Sequence, residues 1–534
     1  MIEAGFQEVV ITPPIGTTAL AGFGGLKSFA RGLNDDLLAS TCVIRTDDTM
    51  MALVSIDVMG MLPDTVERIR TIANQLTEGM IPKENMLIAC THTHAGPDLV
   101  GIFYPNENLK MHVDVTYIDV FVRLVAGGIL GALQDLHPVS VKVGKTTAIG
   151  LSGNRREAAK LLPNPLAPRT IDPEVEVLSF ESNDSIDGVI VNFAAHPTIY
   201  PVTETLKISA DYIGAMRREL KKQLGAVTCL YLNGACGDIN PDASRLTSET
   251  PRLRIELVVE ARNARIPGFS EFSRNAGLDP STFAAYYENK IKKAFLSGFH
   301  GIECELSLDD DGMLVLHFPN QMPAPEKFKN LLGWFFSSDV DDLAYTRCGT
   351  RLASAVRYAL ETSTSIDDAA TISCQSKRVR VDIDDEDMAR EGLFEEYMKR
   401  DASGKYYSEV EVQVVQLGGD IIILTMPGEP ISQVQLRLKA LVRQQAGIDY
   451  VLFSEITNGE IGYILTPEEF DLMGYEFIIC FGRENAYILE RALIELVSSI
   501  TGKTIEWTAD IALPDNKAFE GVKAKDIVDV ELVS

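Results

Sequence analysis

Histidine is scarce in this chain, with seven in 534 residues, and tryptophan scarcer, with two. Positive charge is also in short supply: 49 Lys+Arg face 76 Asp+Glu, for a net charge of −27. So acidic a surface repels phosphate backbones and anionic bilayers, which argues against nucleic acid as a partner. No run of 18 apolar residues occurs, so no transmembrane segment is expected. The N-terminus, Met1-Ile2-Glu3-Ala4-Gly5-Phe6, lacks the basic and apolar regions of a secretory leader, and the expected location is cytoplasmic. The eight cysteines (Cys42, Cys90, Cys229, Cys236, Cys304, Cys348, Cys374, Cys480) show no C-x-x-C spacing. Buried free thiols in a reducing compartment explain them better than a disulfide framework or a thiolate zinc site.

What is present is ordinary globular material, 46% hydrophobic and 23% charged. Strand-like runs (51–58, 86–90, 139–143, 175–180, 188–194, 227–232) alternate with helix-like ones (63–75, 116–133, 209–223). The pattern loosens from about Arg245 to Asp342, where a helix is expected over 280–295. It resumes with helix 344–361, strand 374–383, a hairpin around Gly418-Gly419-Asp420, helix 432–445, strand 450–453 and helix 484–500. The last thirty or so residues read as short strands on the same body. The expected fold class is α/β, with layered mixed β-sheets flanked by helices. A single domain over 1–534 is expected, with an inserted lobe at about 245–342.

Two of the few histidines fall in Cys90-Thr91-His92-Thr93-His94-Ala95-Gly96-Pro97, where an apolar run meets a Gly-Pro break. In an extended strand, residues i and i+2 project to one face, so His92 and His94 should converge. They read either as a metal ligand with a catalytic partner or as a hydrogen-bonded pair in a turn. A second apolar run delivers His196 into Ala195-His196-Pro197-Thr198. Two strands ending this way raise the case for a shared site, because ligands gather beyond the carboxyl ends of strands in open α/β sheets.

Three further strand ends carry polar groups. Asn233-Gly234-Ala235-Cys236-Gly237-Asp238-Ile239-Asn240 could present backbone N–H groups or Asn240 to a substrate carbonyl, or could be a self-bonded turn. Pro427-Gly428-Glu429-Pro430 offers a carboxylate that could instead cap a helix. Asn458-Gly459-Glu460-Ile461-Gly462-Tyr463, continuing through Thr466-Pro467-Glu468-Glu469 to Tyr475, offers tyrosines that usually serve packing.

Taken together, these five segments resemble the neutral/alkaline non-lysosomal ceramidase family, zinc-dependent amidases that split ceramide into sphingosine and fatty acid. T-H-T-H-x-G-P, H-P-T, a G-D-x-x-P loop, P-G-E and Y-x-x-T-x-E-E follow in chain order from Gly5-Phe6 to about Glu484. The resemblance implies Zn2+ held by His92, His196, Glu429 and Tyr463. It implies that His94 and Tyr475 flank the scissile amide, and that Arg155 occupies a further active-site position. Asp57 and Asp211 also align, as supporting or structural residues. A His-His-Glu set with an open position suits zinc, which makes water nucleophilic near neutral pH.

The sequence departs from the family in three places. Asn240 stands where the family carries a serine proposed to act in catalysis, and asparagine cannot form an acyl-enzyme. Attack by water is therefore expected, with Asn240 polarising or positioning. The family's C-terminal immunoglobulin-like domain and the secretion signal of its extracellular members are expected to be absent. The expected substrate is accordingly an N-acyl amide, lipid-like or smaller than bilayer ceramide. An amidohydrolase-type enzyme on another carbonyl substrate and a zinc-containing binding protein without catalysis are the competing readings. The oligomeric state is not legible.

Overall fold

The computed structural model describes residues 2–22, 29–47, 49–101, 114–155, 170–183, 185–241, 253–260, 263–266, 305–309, 313–319, 344–366, 371–384, 398–472, 475–514 and 528–533. The chain divides into two compact units, Met1–Asp242 with Tyr345–Glu520, and Ala243–Ala344 with Gly521–Ser534.

The first unit contains three large sheets. In the first, strands Glu3–Val10, Leu38–Arg45 and Met50–Ile56 run antiparallel, and Met86–Cys90 adds parallel to Met50–Ile56. In the second, Ser140–Thr147, Glu174–Ser182 and Ser185–Phe193 are antiparallel, and Thr228–Asn233 adds parallel to Ser185–Phe193. In the third, Ile372–Asp382, Tyr406–Leu417 and Ile421–Thr425 are antiparallel, and Tyr450–Ser454 adds parallel to Ile421–Thr425. Each sheet thus carries one parallel pair. The sheets are mixed and flanked by helices, as the alternating pattern implies. Among the described residues none of these sheets closes on itself.

Strand alternation explains how the layers bind. Cys42, Ile44, Leu53, Leu87 and Ala89 face one shared core together with Leu178, Ile190 and Leu230 of the second sheet and Val415, Ile423 and Leu452 of the third. Their neighbours Val43, Ala52, Val54, Ile88 and Cys90 face the opposite way, onto helices Pro63–Leu76 and Val115–Gln134. Val412, Val414, Leu424 and Phe453 turn likewise onto helices Ser432–Leu441 and Asn485–Thr501. Burial on both faces is why these strands read as continuous apolar runs. Polar stitches fix the layers: Ser55 Oγ donates to the Tyr231 carbonyl at 2.7 Å, and Asn192 Nδ2 donates to the Phe453 carbonyl at 2.7 Å.

Some details differ from expectation. Helix Val115–Gln134 is long and apolar enough to cross a membrane by length and composition, although the sequence reading expected no span. Its buried side chains, Phe121, Val122, Val125, Ala126 and Ile129 among them, belong to the core beneath the first sheet, so its apolar stripe is already used. The C-terminal strands expected on the main body are not found among the described residues 503–514. Strand Val528–Val533 instead lies in the second unit, parallel to Leu253–Val258. That unit also contains Asn263–Ile266, Glu305–Leu308 and Leu314–His317 in one five-stranded sheet. The helix expected at 280–295 lies outside the described residues.

Asp57 and Arg217 form an ion pair inside the first unit, with side chains 0% and 3% exposed. Asp57 also accepts from Leu38 N at 2.9 Å and Thr91 Oγ1 at 3.2 Å, so one carboxylate ties helix Asp211–Leu224 to the start of the Thr91–Pro97 loop. Removing one partner leaves a buried charge uncompensated. Arg217→Ala should cost about 3–5 kcal/mol in urea denaturation, and exchanging both residues for apolar ones should cost less. A loss below about 1 kcal/mol for Arg217→Ala would show that the pair is not a structural tie.

Candidate metal centre

The three parallel pairs all contribute their carboxyl ends to one place. Beyond Ile56 comes Met59, beyond Cys90 come His92 and His94, and beyond Phe193 comes His196. Beyond Asn233 comes Cys236, beyond Thr425 comes Glu429, and beyond Ser454 come Glu455 and Glu460. The loops are laced together by backbone. Cys90 N donates to Ile456 O at 3.1 Å, Glu455 N to Asn233 O at 2.9 Å, His196 N to Ile239 O at 2.9 Å and Gly237 N to Pro430 O at 3.0 Å. Three non-glycine residues here, His92, Ile456 and Asn458, have φ of 72°, 43° and 63°. Such conformations cost about 1–3 kcal/mol each and persist only where surrounding contacts enforce them.

His92 and His94 do converge, but not by strand alternation. The strand ends at Cys90, and the left-handed turn at His92 redirects the loop. Their Nε2 atoms lie 3.2 Å apart. His92 Nε2 is 3.3 Å from Glu429 Oε2, and His196 Nε2 is 3.1 Å from the same oxygen. His92 Nδ1 sits 2.7 Å from the Met59 carbonyl, and His196 Nδ1 2.6 Å from the Cys236 carbonyl. A carbonyl only accepts, so each Nδ1 carries the proton and a neutral ring turns the lone pair of Nε2 inward. Burial, only partly countered by the negative charge of the facing Glu429, pushes the His196 imidazole down to about 4, so it is neutral at pH 7. His94 is also held well below its ordinary value, by burial and then by the neighbouring imidazoles.

Two nitrogen lone pairs and a carboxylate oxygen thus face one another. His196 Nε2 and Glu429 Oε2 are buried and make no hydrogen bond. That donor set fits a cation. With metal–ligand bonds of about 2.0–2.2 Å, ligand atoms stand roughly 3.0 Å apart at right angles and 3.4 Å apart at tetrahedral angles. The observed 3.1 and 3.3 Å fall between these. Two overlapping sets, His92/His94/His196 and His92/Glu429/Glu460, have ligand atoms within 4.8 Å of one another.

The other expected residues take the following places. Tyr463 lies directly across from Glu429 in a short parallel ladder, buried, with the Arg155 guanidinium 5.4 Å from its ring and hydrogen-bonded to it. Arg155 Nε donates to Glu476 at 2.9 Å and Nη2 to the Gly237 carbonyl at 2.6 Å. Asn240 pairs with Gly153 in a second short ladder, and its Oδ1 is buried without a hydrogen-bond partner. Tyr475 opens a 3-10 turn, and its side chain lies outside the described residues. Asp57 is structural, as shown above. Asp211, with φ of 56°, accepts from Tyr200 N and Tyr212 N at the start of its helix, and burial pushes it up to about 7. Of the remaining histidines, His137 pairs with Asp187 at the surface and His317 is exposed, while His112 and His300 lie outside the described residues.

Four participants carry little or no signal in the sequence. The carbonyls of Met59 and Cys236 fix the two rings, and no side-chain signal announces a carbonyl. Glu455 accepts from Cys236 N at 2.8 Å and from Asn233 Nδ2 at 3.0 Å, holding the loop that holds His196. Glu460 lies in a segment already singled out for its tyrosines. A carboxylate between two glycine turns just past a buried strand was the signal for it.

This arrangement defines an α/β protein with a candidate metal centre at the carboxyl ends of its parallel strands. Residues 3–244 match the family model described as neutral/alkaline non-lysosomal ceramidase, N-terminal. The chain is 23% identical over 538 residues to a neutral ceramidase of Mycobacterium tuberculosis, covering 94% of this chain and 77% of that protein. It superposes on the crystal structure of neutral ceramidase from Pseudomonas aeruginosa with a TM-score of 0.63 at 15% identity, over 97% of this chain and 78% of the other. A ceramidase complexed with C2 gives a TM-score of 0.64, also at 15% identity, over 96% and 77%. The family resemblance read from the five segments is borne out, and the structural likenesses show a shared fold.

The depressed His196 value has a pH consequence. Its folded value is about 4, against about 6.5 in an unfolded chain. Between those values the unfolded chain binds a proton that the folded chain refuses, so stability falls as pH drops through the window. The melting temperature of metal-free protein should therefore decline from pH 6.5 to 4, less steeply in His196→Gln. Equal slopes in both proteins would contradict a neutral, buried His196.

Proposed function

We propose that the protein is a zinc-dependent hydrolase of N-acyl amides, acting on a ceramide-like or smaller substrate through attack by water. The observation that carries this reading is the meeting of His92 Nε2, His196 Nε2 and Glu429 Oε2 around one point, in a chain whose residues 3–244 match the ceramidase family model. The name of the mycobacterial relative brings the amide bond of ceramide to this chain as the reaction to test.

His92, His196 and Glu429 would hold the ion, with Tyr463 as the fourth ligand that the resemblance implies. A zinc ion bound there supplies Lewis acidity, polarising a carbonyl and making water nucleophilic near neutral pH. The chain's own residues do the rest. The Met59 and Cys236 carbonyls keep both rings in the tautomer that presents Nε2. His94 reaches the same point as a neutral base, able to take a proton at Nε2 and return it to the leaving amine. Arg155, anchored on Glu476 and Gly237, sets positive charge beside Tyr463. Asn240 supplies an amide that can donate to the substrate carbonyl without forming a covalent bond. Tyr475 has the flanking role that the resemblance gives it.

Chelator treatment should abolish release of fatty acid from a short-chain N-acyl amide, and zinc should restore it. Undiminished turnover in metal-stripped protein would defeat the reading. Asn240→Ala should lower kcat on the order of 10²–10³, the cost of one lost oxyanion donor. Hydroxylamine should trap no acyl-enzyme from the unaltered protein, and a trapped acyl group would contradict direct attack by water.

A further inference from the structure

We propose that Glu460 is an additional carboxylate ligand of the same centre, delivering a second negative charge to the ion held by His92, His196 and Glu429. The inference rests on the metal-centre reading and extends it to a residue that the five sequence signals did not assign.

Four observations carry it. A carboxylate oxygen of Glu460 lies within 4.8 Å of ligand atoms of both His92 and Glu429. The residue is 3% exposed. Its Oε1 accepts from Gly462 N at 2.5 Å, while its Oε2 is buried without a hydrogen-bond partner. Finally, no lysine or arginine among the described residues forms an ion pair with it. A buried acid normally has such a partner, because an uncompensated charge costs several kcal/mol. Here the group nearest in charge is another carboxylate, Glu429. Two acids so placed cannot both ionise without a cation between them; in the metal-free protein burial and the Glu429 charge hold Glu460 well above the usual carboxylate range, and a bound cation would let both ionise.

The loop geometry supports the same conclusion. Gly60 follows Met59, whose carbonyl orients His92, and a Cβ at Gly60 would stand 3.2 Å from both Cγ and Oε2 of Glu460. Glycine at this position leaves room for the carboxylate beside the His92 ring. On the other side, Gly462 has φ of 78°, which turns the backbone so that its N–H meets Oε1. Two imidazoles and two carboxylates would neutralise a divalent ion. The added oxygen also hardens the donor set, which suits Mn2+ as well as Zn2+.

The test is metal binding rather than turnover. Metal-free protein is titrated with Zn2+ against a competing chelator, and the visible spectrum of Co2+-loaded protein is recorded, for the unaltered chain and for Glu460→Gln. The amide of Gln keeps the acceptor for Gly462 and removes the charge. Affinity should fall at least about 10–100-fold, as for lost supporting ligands. The Co2+ bands should shift, and the melting temperature of the metal-free protein should stay within a few degrees. Gly60→Ala, which leaves every ligand in place but crowds Glu460, should weaken binding in the same direction. Unchanged affinity and an unchanged Co2+ spectrum in both variants would overturn the role of Glu460 while leaving the metal centre intact. Failure of the unaltered protein to take up any metal would overturn the centre itself, and Glu460 with it.

Discussion

Two imidazole nitrogens and a carboxylate oxygen held at 3.1–3.3 Å, each turned inward, are the constraint on which the site depends. Left to themselves, such groups repel or protonate. The protein prevents both. Main-chain carbonyls accept from the outer N–H of each ring, and burial disfavours a second proton on His196. Both rings thus keep Nε2 turned inward, and His196 is held neutral, which is the state a metal requires. Cys236 shows how far this control extends. Its carbonyl orients His196, and its N–H and thiol are both held by the buried Glu455.

The fold supplies the convergence. Three sheets share one apolar core, and each ends its single parallel pair at the same side. Parallel neighbours bring two carboxyl ends side by side, so six loops meet with no long excursion. Backbone bonds between those loops, such as Cys90 to Ile456 and Glu455 to Asn233, give the rigidity that strained residues need. The acidic surface has no part in this. The charges that matter are few and buried.

Much of this was legible in the sequence, because both-face burial writes itself as apolar runs. Met86–Cys90 and helix 344–361 fall on the expected bounds, and the other elements expected in the first unit's main sheets and helices begin and end within a few residues of theirs, whereas strands Glu3–Val10 and Leu38–Arg45 were not expected. Expected ligands His92, His196 and Glu429 stand together because each follows such a run. The legible part stops where contacts depend on main chain or on turn geometry. The left-handed turn at His92 replaced a simple i, i+2 projection, and the Met59 and Cys236 carbonyls carry no side-chain signature. Glu460 was hidden because a lone acid in a glycine turn looks like solvent-facing polarity until its burial is known. The apolar helix Val115–Gln134 was legible as a helix, and its stripe lies in the core, although a buried stripe and a membrane span share one composition.

The central claim is that one divalent ion belongs at the point shared by His92, His196 and Glu429. Anomalous diffraction at the zinc absorption edge, from crystals grown with zinc, tests it most directly. The account predicts one strong peak about 2.0–2.2 Å from His92 Nε2, His196 Nε2 and a Glu429 carboxylate oxygen. A map with no peak there, while the two rings keep their places, would contradict it.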